Sequence, residues 1–222
     1  MRLTIIAATG GIGRHLVDQA VAAGHDVTAV ARNPRDLPAG VRVVRADLNA
    51  AAGADAVKDA VDGADAVLSG LGPRLKSDAG VAARGTRSIV DALRTTAGRR
   101  LVVVSAAPIG TVASPARTNP PRHDPGDGFI MRHVMNPLVR RVFREHYADL
   151  AVMEDVVRAS GLQWTIVRPP QLSDGPRTGT YRTAYGQNLR RGLKISRADV
   201  ADLMLALLDQ PSSIGQVVGV AY

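Results

Sequence analysis

Residues 3–25, LTIIAATGGIGRHLVDQAVAAGH, decide the fold. The short apolar run LTII is followed by a glycine cluster, Gly10, Gly11 and Gly13, and then by a segment whose Leu16, Val17, Ala20 and Val21 share one helical face. Gly24 stands where a helix C-terminal stop is expected. After a buried parallel strand, glycine lets the backbone turn tightly and approach a phosphate with no Cβ in the way. The free N–H groups at the start of the next helix then face the anion. Strand, glycines and amphipathic helix in this order predict a dinucleotide-binding loop, with Ala7, Thr9, Gly10, Gly11, Ile12 and Gly13 at the cofactor.

Outward from this stretch, short β-type runs alternate with longer helical ones. Strands are expected at 3–7, 27–31, 41–46, 65–70, 100–106, 163–169 and 217–221, and helices at 12–23, 52–62, 80–97, 137–160 and 197–209. Nearly continuous Val, Ile and Leu marks strands buried on both faces, and alternation with helices gives a parallel sheet. The predicted fold is a doubly wound, Rossmann-type α/β sheet forming a single domain over 1–222. Asn136 and Pro137 read as N-cap and first position of the fourth helix, with Val139, Val142, Phe143, Leu150, Met153 and Val157 as its inner stripe. The Pro- and Gly-rich stretch 108–130 is expected to be a long loop, and substrate contacts are expected from 108–135 and 169–195.

Composition narrows the class further. With 222 residues, 45% of them hydrophobic, the chain can bury a full core. It has no apolar window approaching a membrane span, and the run after Arg2 is too short for a signal peptide, so a cytoplasmic protein with no membrane partner is expected. The lack of cysteine removes disulfides and thiolate catalysis. The net charge of +8 comes from basic residues spread from Arg2 to Arg197, and only 3% of residues are aromatic and able to stack on bases. That pattern argues against a nucleic-acid partner and for a basic surface that favours anionic ligands. The histidines and acids show no metal-ligand spacing, and no metal is expected.

The end of the second strand bears on the choice of dinucleotide. An NAD site places an acid there for the ribose 2′-hydroxyl, whereas arginine accommodates a 2′-phosphate. In VTAVARNPRDLP, Ala31 stands where the acid would be, Arg32 follows, and Arg35 is close behind. NADP(H) is the preferred cofactor, the alternative being that both arginines are solvated surface residues.

With these motifs in place, the chain resembles the atypical short-chain dehydrogenase/reductases, in particular the NAD(P)H-binding group that includes NmrA-like proteins and biliverdin-IX-beta and flavin reductases. AATGGIG is similar to that family's GATGxxG, and ARNP to its NADP-type segment. RADL (45–48) resembles the segment whose acid and following residue contact adenine, which implies roles for Asp47 and Leu48. DAVLSGLG resembles the strand ending beside the cofactor, which implies contacts from Gly70, Leu71 and Gly72. VVVSAA resembles the strand that brings a serine, here Ser105, to the nicotinamide. WTIVRPPQLSDGPRTGTYR is similar to the segment closing the far side of the pocket, which implicates Pro169, Pro170 and Gln171, and ISRADVADLMLALL resembles the last helix. Two departures stand out. The family's first glycine is Ala7, and the lysine that the wider superfamily places four residues after its catalytic tyrosine is replaced, after Tyr147, by Ala151.

An unassisted phenol, with a reference pKa of ~10, is a poor base near neutrality. Alcohol oxidation is therefore disfavoured, while hydride transfer to a conjugated acceptor makes smaller demands on proton transfer. The resemblance implies an NADPH-dependent reductase acting on a flavin, quinone or tetrapyrrole-like small molecule, anionic and aromatic in character. Its alternative is a non-catalytic NADP(H) sensor of NmrA type that acts through a protein partner. An isomerase or epimerase with bound cofactor is a third reading, for which no acid/base pair stands out. Ser105, Tyr147 and His146 are the candidate catalytic residues, each with a structural alternative as a strand-end or helix residue. His133 could reach a substrate if the loop folds over as a lid, the preferred alternative being an exposed histidine, and Arg132, Arg140, Arg141 and Arg144 could attract an anion or form a solvated helix face. Trp164 is expected to pack on the sheet.

Overall fold

The computed structural model describes residues 1–50, 52–73, 78–128 and 143–222. The apolar runs become β1 (Arg2–Ile6), β2 (Asp26–Ala31), β3 (Arg42–Arg45), β4 (Ala66–Ser69), β5 (Arg100–Val104), β6 (Gln163–Arg168) and β10 (Gln216–Ala221). The helical runs become α1 (Gly11–Ala22), α2 (Ala52–Val61), α3 (Val81–Arg94), α4 (Arg144–Arg158) and α5 (Arg197–Ala206). The main sheet has the order β3-β2-β1-β4-β5-β6-β10-β8, parallel as far as β10. This is the dinucleotide-binding order, with its reversal of direction between β1 and β4. β8 (Arg182–Tyr185) pairs antiparallel with β10, so the sheet is not purely parallel.

Both faces of the sheet are buried along its central strands, as continuous apolar runs require, while the edge strands β3 and β8 are mostly exposed. Leu68, Val102 and Val104 pack with α1 and α5, whereas Val67, Leu101 and Val103 pack with α2, α3 and α4. The period of two along each strand thus feeds two apolar layers. Gly24 closes α1 in a left-handed conformation, φ +77°, with its N–H on the Val21 carbonyl. Trp164 is half-buried on β6 beneath the Arg158 guanidinium, 5.4 Å from the ring centroid.

Some boundaries differ from expectation. The third helix ends at Arg94 rather than at 97, and the last passes at Leu207 into a short 3-10 turn. The described part of the fourth helix begins at Arg144; Asn136, Pro137, Val139 and Val142, like Arg132, His133, Arg140 and Arg141, lie outside the described residues. The expected loop opens with a 3-10 turn at Ala107–Thr111. Within 169–195, β7 (Gln171–Ser173) and β9 (Lys194–Ser196) form a separate parallel pair. Prolines and glycines around these three-residue strands mask any periodic signal.

Candidate active site

A cleft of about 330 Å³ opens at the C-terminal ends of β1 and β4, where ligands bind in open α/β sheets. Its floor is the glycine loop. Ala7 turns the chain with φ +59°, in the region that favours glycine. The N–H of Gly10 donates to the Ala7 carbonyl at 2.7 Å, and the first bond of α1 runs from Arg14 N–H to the Gly10 carbonyl at 2.9 Å. The N–H groups of Gly11, Ile12 and Gly13 lie between them, in the turn that a helix leaves without intrahelical acceptors. A Cβ at Gly13 would collide with the Ala7 carbonyl oxygen, and one at Gly70 would stand 3.4 Å from the Gly13 nitrogen. Backbone therefore approaches backbone closely here, and the helix N-terminus is presented to the cleft, as a diphosphate requires.

Ala7, Thr9, Gly10, Gly11 and Ile12 line the cleft, while Gly13 serves the close packing beneath it. Asp47 and Leu48 form the wall beyond β3, and Gly70, Leu71 and Gly72 the rim beyond β4. Arg32 also lines the cleft, but its Nη1 donates to the Asp78 carboxylate at 2.8 Å. Asp78 is buried, and its hydrogen bond and charge hold the Arg32 guanidinium even more firmly protonated. Arg35 is exposed and does not line the cleft, whereas Asn33 does.

At the β5 end stand Val104, Ser105, His146, Leu150 and Leu172. The Ser105 hydroxyl donates to Glu154 Oε1 at 2.7 Å. Glu154 is 2% exposed and also receives Arg168 Nε at 2.8 Å and Nη2 at 2.5 Å. Burial alone would raise the Glu154 pKa, but the Arg168 hydrogen bonds and charge, with help from Ser105 and Arg158, hold it below the usual carboxylate range. Ser105 is thereby fixed with its proton committed to Glu154 and its oxygen left to accept. Burial pushes the His146 imidazole below its ordinary value against the opposing charge of Asp149, so the ring is neutral near pH 7. Its Nδ1 is buried without a hydrogen-bond partner among the described residues.

Other expectations fall outside the cleft. Tyr147 lies in the core, 9% exposed, against the rings of Phe143 and His146, and does not line the cleft. It shares one helical face with Leu150, Met153 and Val157, so the 3.6-residue period turns it inward. Pro169, Pro170 and Gln171 are likewise absent from the cleft wall. The Pro169 carbonyl accepts from Ala107 N–H, Pro170 lines a separate small cavity, and from this segment Leu172 reaches the cleft.

Asp78, Glu154 and Arg197 went unread in the sequence. Arg197 carried a partial signal, because Ser196 and Asp199 around it form a helix-start pattern, and Ser196 Oγ indeed accepts from Asp199 N–H at 3.0 Å. Asp78 and Glu154 meet their partners only through the fold. Among the described residues no cluster of acids and histidines is placed to hold a metal, and no helix is long and apolar enough to cross a membrane.

A mostly parallel sheet in this order, with a glycine loop at the β1/β4 reversal and a cleft above it, defines a dinucleotide-binding protein of Rossmann type. The family model for NAD(P)H-binding proteins matches residues 7–211, and the chain belongs to that family. A Bacillus subtilis protein, the uncharacterised sugar epimerase YhfK, is 44% identical over 69 residues, which are 31% of this chain and 28% of that protein. An uncharacterised chloroplast protein of Arabidopsis thaliana, At2g34460, is 28% identical over 227 aligned positions, which span 96% of this chain and 74% of that one. Among solved structures, the oxidoreductase ylbE of Lactococcus lactis superposes with a TM-score of 0.79 at 19% identity, covering 100% of this chain and 90% of that one. A candidate NADH-flavin reductase of Streptococcus pneumoniae gives 0.73 at 26% identity, with 100% and 99% covered. A short-chain dehydrogenase/reductase of Veillonella parvula in complex with NADP gives 0.75 at 19% identity, with 100% and 94% covered.

Proposed function

We propose that the chain is an NADPH-dependent reductase of atypical short-chain dehydrogenase/reductase type, acting on a conjugated small molecule such as a flavin, quinone or linear tetrapyrrole. The observation that carries this reading is the content of the β5 end of the cleft. Its polar side chains are Ser105 and His146; the Tyr147 ring packs against the His146 ring from the core side but does not line the cleft, and no ammonium lines it among the described residues. Of the three lysines, Lys58 is on α2 and Lys194 on β9, both outside the cleft wall, and Lys76 lies outside the described residues.

The reduced nicotinamide, when bound, supplies a hydride. The α1 N-terminus would hold the diphosphate, Asp47 and Leu48 the adenine, and Arg32 the 2′-phosphate, with its Asp78 contact giving the guanidinium a fixed starting position. Ser105, with its proton held by Glu154, is suited to accept from the carboxamide N–H and so to orient the ring. His146, neutral at pH 7, would donate a hydrogen bond from its one ring N–H to an acceptor atom as charge builds there, with the proton itself coming from solvent. Val104, Leu150 and Leu172 keep that end of the cleft apolar, which strengthens each polar contact within it. A reductase of this kind belongs with the cytoplasmic NADPH pool.

The name of the Streptococcus relative points the same way, toward flavin. The epimerase in the name of the Bacillus relative would need an acid/base pair in the cleft, and Ser105 with a single neutral histidine is a poor one. The test is NADPH consumption, followed at the absorbance of the reduced nicotinamide, against a panel of flavins, quinones and a linear tetrapyrrole, with NADH in parallel. Acceptor-dependent consumption with NADPH ahead of NADH is expected. Tight NADPH binding with no turnover on any acceptor would overturn the reductase in favour of an NADP(H) sensor working through a protein partner.

A further inference from the structure

We propose that Arg197 is the cation that neutralises the diphosphate of the bound dinucleotide, and that it exchanges Asp174 for the diphosphate when the cofactor enters. The inference rests on the reading of the cleft as a nicotinamide-cofactor site. Arg197 is the first residue of α5, and its backbone is fixed by the buried cap that Ser196 and Asp199 form. Its side chain runs along the start of α1: a Cβ on Gly11 would stand 2.7 Å from both its Cδ and its Nε. The stem thus lies against the residue whose N–H opens the anion-binding turn, and the side chain lines the cleft.

Charge balance asks for such a group. A diphosphate carries about two negative charges, whereas a helix N-terminus offers the equivalent of roughly half a positive one. Glycine loops of this type contain no cation of their own, and here Arg14 on α1 is exposed and off the cleft wall. Among the described residues the cations lining the cleft are Arg32, beyond β2 and held by Asp78, and Arg197 beside Gly11.

The present partner of Arg197 is a weak competitor. Its Nη1 meets Asp174 Oδ1 at 2.5 Å, but the Asp174 side chain is 89% exposed against 29% for Arg197. An ion pair with one partner in water is worth little, whereas a planar guanidinium facing phosphoryl oxygens in a half-enclosed cleft makes charge-assisted, paired hydrogen bonds. Asp174 therefore serves to park the arginine at the edge of the site and yields it to the ligand.

The test is equilibrium binding by calorimetry of three probes, NADP⁺, ADP-ribose and adenosine 2′-monophosphate, the last lacking the diphosphate. Wild-type protein is expected to bind all three. Arg197→Gln should weaken NADP⁺ and ADP-ribose by about tenfold or more, as loss of a charge-assisted contact implies, and leave adenosine 2′-monophosphate within about twofold. Asp174→Asn, a change on an exposed side chain, should tighten NADP⁺ and ADP-ribose a few-fold by removing the competitor. Unchanged NADP⁺ affinity in Arg197→Gln, an equal loss for all three probes, or weaker binding in Asp174→Asn would overturn the role of Arg197 while leaving the cofactor site standing. A wild-type protein that bound none of the probes would overturn the site and this inference together.

Discussion

Ala7 places a methyl group at φ +59°, where an L side chain is strained by ~1 kcal/mol or more. Ala7→Gly should therefore raise stability by about that amount in a denaturant titration and leave cofactor affinity equal or higher. Gly13→Ala should do the reverse: its Cβ would meet the Ala7 carbonyl, a backbone atom with little room to yield, and ~1–3 kcal/mol or more is at stake. On the proposed reading, in which Arg32 makes a charge-assisted contact to the 2′-phosphate, Arg32→Ala should weaken NADPH by roughly tenfold or more and NADH far less. Equal weakening would remove the NADP preference. The loop residues were legible because the glycine pattern is local in sequence. The pairing of Arg32 with Asp78 was not, because 46 residues separate the partners and only the fold joins them.

At the scale of elements, α4 governs the site. His146, Leu150 and Glu154 recur every four residues along one stripe, so one helix presents the imidazole, an apolar wall and the Ser105 partner together. The same helix caps α3: Gly80 offers no side-chain cap, and Asp149 instead accepts from Ala82 N–H at 3.0 Å and Ala83 N–H at 2.9 Å. Asp149→Ala should cost ~1–2 kcal/mol of stability, measurable by chemical denaturation. If Ser105 orients the cofactor as proposed and the proton comes from elsewhere, Ser105→Ala should raise the KM for NADPH several-fold with a smaller change in kcat. A collapse of kcat alone would make Ser105 part of the proton path. Apolar spacing along α4 already held the information that Tyr147 faces the core with Leu150 and Met153. Resemblance to a family whose tyrosine works in the site pointed the other way. Spacing describes this chain's own packing, and packing prevailed.

For the molecule as a whole, alternating strands and helices were enough to read a doubly wound sheet, because burial on both faces leaves continuous apolar runs. The antiparallel edge strand β8 escaped notice, since its RTAY sequence is mostly solvent-facing and carries no such run. Two buried groups link the fold to pH. His146 has a lowered pKa, so its contribution to stability is full above the ordinary histidine value of ~6.5 and declines as pH falls through it. Glu154 has a lowered pKa, so it stabilises above the ordinary glutamate value of ~4.3 and that contribution is lost as pH falls through its depressed folded value. Thermal stability should therefore fall on the acid side in two stages, and His146→Gln should flatten the first. The central claim, hydride transfer from NADPH to a conjugated acceptor in this cleft, is tested most directly by single turnover with NADPH deuterated stereospecifically at the nicotinamide C4. The account predicts acceptor-dependent oxidation slowed by deuterium on one face of the ring and unaffected by deuterium on the other. Oxidation without an isotope effect on either face, or none at all with any acceptor, would contradict it.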